Sequence, residues 1–369
     1  MLVIKTASAI DIDIKAKSAI LIEPTTGKVI YEKNADEQLK PASMTKIMSL
    51  ILIMESISNN KLSLDDEVVV SKEASSMGGS QVYINEGEVY KVEELLKGVA
   101  IASANDAVVA LGEKIAGSKE NFVSMMNQKK EQLGLTNTNF VNPHGLDDEN
   151  HYSSARDMSI MARELLKYPL ILNYTKRYED YFKKKDGSSI WLVNTNKLVK
   201  FYEGMDGLKT GYTSTAGYCL TATAVKNNFR LISVIMGEDT IESRTEDTLK
   251  LLNYGFNTMK IEEIMPKSKP VDQVEIKLSN KNSYNVYVKD DIVKLYEINA
   301  GNLKYTYKIK YNSNLRAPIN KNTKVGSITI NINDGSVIKS DLIVKENIKK
   351  MNYFKLFQKN MSIISSGIK

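Results

Sequence analysis

The chain has 369 residues, well above the roughly 150 of one typical domain, so two or three domains are expected, each long enough to bury a core. Its 50 basic and 44 acidic side chains are spread along the chain and leave a net charge of +6, which offers no basic block for nucleic acid and supports only a mild preference for anionic surfaces. A single cysteine, Cys219, and two histidines, His144 and His151, exclude a disulfide framework or a Cys/His zinc cluster within one chain, so chemistry without metal or cofactor is expected.

In chain order, the first nine residues end in Ala7-Ser8-Ala9 behind the short apolar stretch Met1-Leu2-Val3-Ile4, which fits the tail of an export signal. Lys5 interrupts that stretch, and an ordinary chain start fits as well. Ala19-Ile20-Leu21-Ile22 and Lys28-Val29-Ile30-Tyr31 flank the turn Pro24-Thr25-Thr26-Gly27 and predict a β-hairpin. Segments 43–57, 91–102, 106–116, 120–133, 155–166 and 243–257 have helical length and period. The longest nearly unbroken apolar run, 47–54, falls far short of the ~18 residues that suggest a membrane span. Segments 217–225 and 229–236, parted by Asn227-Asn228, predict paired strands. Helices gathered between early and late strands give residues 10–265 an α+β layout with the helices packed on a sheet.

A boundary is expected at Pro266-Lys267-Ser268-Lys269-Pro270, where neither helix nor strand continues easily. Beyond it the pattern turns to period two: Val274/Ile276/Leu278, Leu303/Tyr305/Tyr307/Ile309/Tyr311 and Ile328/Ile330/Ile332 each place apolar groups on one strand face, and Asp334-Gly335 signals a hairpin turn. Residues 271–344 therefore predict a small all-β domain, a β-sandwich. In 345–369, Met351, Phe354, Phe357, Met361 and Ile364 form one helical stripe, with Lys345, Lys349, Lys355 and Lys359 largely opposite. Such a helix can lie in a membrane interface or pack on its own protein, and the spacing favours neither.

Chemistry is concentrated in three short motifs. Pro41-Ala42-Ser43-Met44-Thr45-Lys46 opens the apolar run, so Ser43 is expected at the start of a buried helix with Lys46 one turn on, on the same face. Burial lowers a lysine pKa enough for it to take a serine proton, and the helix N-terminus favours negative charge beside Ser43. On spacing alone Ser43 reads as an N-cap, and Ser-x-x-Lys recurs at Ser58/Lys61, Ser336/Lys339 and Ser366/Lys369. Only Ser43 begins a helix too apolar to be exposed. Ser103-Ala104-Asn105 lies between two helical segments and reads either as a capping turn or as a hydroxyl and an amide placed for catalysis. Lys209-Thr210-Gly211 follows Asp206-Gly207 at a strand start; it is either a solvated strand lysine or a carboxylate site whose glycine lets a substrate lie close.

Ser-x-x-Lys, Ser-x-Asn and Lys-Thr-Gly in that order are the motif set of penicillin-binding proteins and class A β-lactamases. With Thr26-Gly27-Lys28-Val29, Asn34-Ala35-Asp36, Asn105-Asp106-Ala107, Asn142-Pro143-His144-Gly145-Leu146 and the stretch 204–217, the sequence resembles the low-molecular-mass penicillin-binding proteins, the D-alanyl-D-alanine carboxypeptidases. The likeness covers about 17–257 closely and the β domain and terminal helix in layout. It implies the transpeptidase-type fold, a stem pentapeptide ending in D-Ala-D-Ala as substrate, β-lactams as inhibitors, and a place on the outer face of the bacterial cytoplasmic membrane, touched through the terminal helix. It further implies Ser43 as nucleophile, Lys46 as its base, Ser103 as proton relay and Asn105 against the substrate amide. Lys209 and Thr210, with Arg244, would hold the terminal carboxylate, Gly211 would let the substrate lie close to the strand, and the backbone N–H groups of Ser43 and Tyr212 would form the oxyanion hole. His144 is read as structural, a lone loop histidine without a partner. Two other readings stand beside this one. A class A β-lactamase would need a Glu-x-x-Leu-Asn pattern, which the sequence lacks; a non-catalytic wall-binding protein would have a broken motif, and all three are intact.

Overall fold

The computed structural model describes residues 12–354 together with Phe357 and Met361; the expected leader 1–9 and most of the expected terminal helix lie outside the described residues. Contacts divide the chain after Thr258 into two compact units.

In the first unit, β1 (Ser18–Glu23) and β2 (Lys28–Lys33) form the expected hairpin. The buried Glu23 organises its turn by accepting from the N–H groups of Thr25 at 2.6 Å and Thr26 at 2.7 Å. A single 3-10 turn, Ala42–Thr45, precedes α1 (Lys46–Ser58), so the α-helix starts three residues later than the sequence suggests. Every residue of 47–54 is buried, as a helix apolar on all sides requires. The short pair β3 (Glu67–Val69) and β4 (Val89–Lys91) brackets the one-turn α2 (Lys72–Ser75). Four helices follow: α3 (Val92–Ala102), α4 (Asn105–Ala116), α5 (Lys119–Leu133) and α6 (Ala155–Leu165). The turn α7 (Leu172–Thr175), the hairpin β5 (Glu179–Lys183) and β6 (Ser189–Val193), and the turn α8 (Leu198–Phe201) lead to β7 (Met205–Thr213), β8 (Gly217–Lys226), β9 (Phe229–Glu238) and α9 (Ile241–Thr258).

The main sheet is antiparallel with strand order β2-β1-β9-β8-β7, so β7 is an edge. Asn227 and Asn228, both at positive φ, close the tight β8–β9 hairpin, a conformation asparagine tolerates better than most residues. Alternation gives the sheet two apolar faces. Leu21 and Leu231 meet Gly255 of α9, while Ile20, Ile22, Ile232 and Val234 join the helical core built on α1 and α6. Cys219 of β8 is fully buried there, with its sulfur 3.5 Å from the Gly237 N–H.

The second unit opens with β10 (Met259–Met265), which pairs with β13 (Ile292–Glu297). The boundary therefore lies about a strand before the Pro266–Pro270 stretch, which only ends β10. A five-stranded sheet, β11 (Asp272–Val274), β12 (Tyr284–Val288), β16 (Val337–Ile343), β15 (Lys324–Ile332) and β14 (Tyr305–Tyr311) in that order, packs Val286, Val288, Val325, Ile328, Ile330 and Leu342. Tyr305 and Tyr307, on one face of β14 as the period suggests, are exposed. The tail departs from the expected helix up to Asn352: Ile348 is buried and bridges Ile319, and Lys350 bridges Ser279. Helix begins at Tyr353, with Tyr353, Phe354, Phe357 and Met361 exposed.

Candidate active site

Ser43 sits in the 3-10 turn, directly after Ala42, whose φ is +46. That positive φ in a residue with a Cβ is unusual, and the surroundings hold it. Gly145 presses against the turn so closely that a Cβ there would stand 1.8 Å from the Ala42 carbonyl oxygen. From the other side Gly211 of β7 approaches, where a Cβ would lie 2.6 Å from the Pro41 carbonyl oxygen. Gly211 is thus required by the contact between edge strand and nucleophile turn, a reason internal to the protein and distinct from the close substrate approach expected of it. No side-chain cap bond is made at the start of the turn or of α1, so the N-cap reading of Ser43 fails.

Lys46 is fully buried, and its Nζ has three oxygen neighbours: Ser43 Oγ at 3.1 Å, Asn105 Oδ1 at 2.6 Å and the His144 carbonyl at 2.8 Å. Burial, aided by the Lys209 charge, drives its pKa well below the usual lysine value, while Asp106 opposes. A neutral amine has two N–H donors and one lone pair. Asn105 Oδ1 and the His144 carbonyl are pure acceptors, so in the neutral form both N–H bonds can go to them and the lone pair would face the Ser43 hydroxyl.

Ser103 ends α3 in the left-handed region at φ 66 and its side chain caps nothing; its Oγ is buried without a hydrogen-bond partner. Asn105 is engaged at both ends, Oδ1 by Lys46 and Nδ2 donating to the Gly78 carbonyl at 2.7 Å. Its side chain thereby ties Lys46 to the loop at Gly78. A Cβ on Gly79 would stand 2.8 Å from Asn105 Nδ2. Asp106, buried, fixes the same loop by accepting from the N–H groups of Val82 and Ile84.

On β7, Lys209 is buried with Nζ donating to its neighbour's carbonyl, Thr210 O, at 2.9 Å; burial and then Arg244 push its pKa down to about 7. Thr210 Oγ1 donates to Thr195 Oγ1 at 2.7 Å. Arg244 of α9 is buried with Nε unpartnered, and desolvation lowers its pKa. Tyr212 stacks on Tyr218, ring centres 4.3 Å apart. One cleft of about 400 Å³ gathers Ser43, Ser103, Thr210, Gly211, Tyr212 and Arg244, with Ser80, Val193, Thr195, Lys197, Tyr218 and Ile241 completing its wall.

These last residues, and the loop at Gly78, escape a reading by motif because their neighbours in sequence carry no pattern. His144 corrects the expectation that it lacks partners: its carbonyl holds Lys46 and its Nδ1 accepts from the Leu146 N–H at 3.2 Å. Burial lowers the pKa of its ring to about 3.

The family model for D-alanyl-D-alanine carboxypeptidase matches residues 4–240, and that for the penicillin-binding protein 5 C-terminal domain matches 260–350. The chain belongs to the D-alanyl-D-alanine carboxypeptidase family. It is 44% identical over 348 residues to the D-alanyl-D-alanine carboxypeptidase DacF of Bacillus subtilis, covering 94% of this chain and 89% of that one. With DacA of Escherichia coli identity is 32% over 350 residues, 92% and 85% of the two chains. Among solved structures, penicillin binding protein 5 from Haemophilus influenzae superposes with a TM-score of 0.76 at 32% identity over 93% of this chain and all of its own (100%). Penicillin-Binding Protein D2 from Listeria monocytogenes, solved in an ampicillin-bound form, gives 0.60 at 31% over 67% and 99%. The chain is accordingly a serine hydrolase of the penicillin-binding type, acting on cell-wall peptidoglycan outside the cytoplasm.

Proposed function

We propose that Ser43 is the nucleophile that removes the terminal D-alanine from stem pentapeptides, with Lys46 as its base. The observation that carries this is the Lys46 amine, buried, depressed in pKa and 3.1 Å from Ser43 Oγ. Lys46 takes the hydroxyl proton as Oγ attacks the carbonyl of the penultimate D-alanine. The Ser43 and Tyr212 N–H groups stabilise the tetrahedral oxyanion. Ser103, whose Oγ is buried and uncommitted, passes a proton toward the leaving amine, and water then hydrolyses the ester. The free edge of β7 lets the substrate backbone lie alongside as an added strand. Lys209, Thr210 and Arg244 supply positive charge and a hydroxyl for the terminal carboxylate.

A strained β-lactam amide enters the same cleft and acylates Ser43. Without a glutamate to activate water, the penicilloyl ester lasts; a general base contributes about 10²–10⁴-fold. Incubation with penicillin should add the mass of one drug molecule on Ser43, persisting for many minutes after free drug is removed and absent in Ser43→Ala. Pentapeptide should release D-alanine. Rapid loss of the adduct with steady penicillin consumption and no D-alanine would assign a β-lactamase instead.

The exposed Tyr353, Phe354, Phe357 and Met361 support a peripheral contact with the outer face of the cytoplasmic membrane. Deleting 353–369 should release the protein from anionic vesicles and leave D-alanine release intact; unchanged vesicle binding would place the contact elsewhere.

A further inference from the structure

The β5–β6 hairpin sends alternate side chains to two faces. Phe182 and Leu192 are buried, Phe182 against the Tyr90 ring with centres 5.1 Å apart. Tyr181 and Trp191, direct cross-strand partners on the opposite face, are 57% and 58% exposed. The backbone beneath them is firmly held. Lys97 of α3, nearly buried, donates to the Tyr181 carbonyl at 3.0 Å and pairs with Glu94 at 2.8 Å. Trp191 Nε1 donates to Glu179 Oε2 at 3.1 Å, which ties the indole to the neighbouring strand. Val193 follows Trp191 by two residues on the same strand face and is a wall of the catalytic cleft. Two strand residues span roughly 7 Å, so the aromatic pair adjoins the cleft.

A pair of exposed rings on one strand face suits a ligand that is apolar on its faces and polar at its edge, whereas an apolar side chain gains most from a hollow. Glu179, Lys183 and Ser189 surround the rings with hydrogen-bonding groups on that face. We propose that Tyr181 and Trp191 form a platform for an N-acetylated pyranose ring of the glycan that carries the stem peptide. The proposal rests on the carboxypeptidase reading of the cleft. With the fourth residue of the stem acylating Ser43, the first residue and its sugar lie three residues back, roughly 10 Å along an extended chain, just past the cleft wall.

Trp191 is the one tryptophan of the chain, so its fluorescence reports on this spot alone. Titration of the whole protein with the N-acetylglucosamine trimer should give a saturable spectral change that Tyr181→Ala weakens several-fold. In a second arm, D-alanine release is compared between a free pentapeptide and the same peptide on its disaccharide. Trp191→Ala should raise KM about fivefold to tenfold for the disaccharide-linked substrate only, in line with an aromatic contact, and Trp191→Phe should restore most of it. A flat fluorescence titration together with an unchanged ratio of the two KM values overturns the platform, as does an equal loss on both substrates. Absence of D-alanine release from either substrate by the unaltered protein would instead remove the carboxypeptidase reading, and the titration would still decide the platform.

Discussion

At Lys46 the protein places a side chain that is nearly always charged where water cannot reach it, and three oxygens define what it does there. Lys46→Arg preserves a cation but cannot deprotonate, so acylation by penicillin should fall to background; near-normal labelling would take the base role from Lys46. His151 shows the same principle applied to folding. Its Nδ1 accepts from the Val141 N–H at 3.0 Å, so the proton sits on Nε2 and is donated to Thr45 Oγ1 at 2.8 Å, beside the nucleophile turn. Burial pushes its pKa from 6.5 down to about 4, which keeps the ring neutral in the fold. In the unfolded chain the ring takes a proton near 6.5, so below that pH the unfolded state binds more protons and stability falls until the folded ring titrates near 4. At pH 5 the loss from His151 is about 2 kcal/mol. Urea unfolding at pH 7.5 and pH 5 should show this slope, and His151→Asn should flatten it in part, His144 retaining its own share.

Among elements, the contact of the β7 edge with the nucleophile turn matters most. Gly211→Ala would place a Cβ 2.6 Å from the Pro41 carbonyl oxygen, so strand and turn must separate. A displacement of order 1 Å costs about 100-fold in rate, and the penicillin acylation rate of Gly211→Ala should drop by that order while a native circular dichroism spectrum remains. An unaltered rate would mean the turn yields without moving Ser43. Much of this level was legible in the sequence. The hairpin of β1 and β2, the helices around Ser103 and the β8–β9 pair announce themselves through period and turn residues, and the three motifs single out the side chains proposed to carry the chemistry. What stayed hidden depends on contacts between distant segments. Nothing adjacent to Gly78, Thr195 or Lys197 signals that they meet Ser43 or its neighbours, and the carbonyl of His144 is invisible to a method that reads side chains. The length of β10 was hidden for a related reason, since Met259–Met265 continues directly from α9 and only its partner, β13, reveals it as strand.

For the molecule as a whole, division of the chain after Thr258 makes the first unit a candidate for independence. Its core includes α1, α4, α6 and the main sheet, and all of the proposed catalytic side chains lie within it. Residues 12–258 expressed alone should be acylated by penicillin within about twofold of the rate of the full chain, because an intact first unit preserves every catalytic contact. A slower rate with intact folding would assign the second unit a part in ordering the cleft. Cys219 adds a consequence of a different kind. Its thiol lies inside the main sheet, and burial raises its pKa to about 11, so a maleimide or a disulfide reagent meets no thiolate in the folded protein. Modification must wait until β8 and β9 part. The rate of thiol labelling in native buffer is then a clock for the opening of that sheet, and its slowing by a bound β-lactam would measure how far acylation at the edge strand locks the interior.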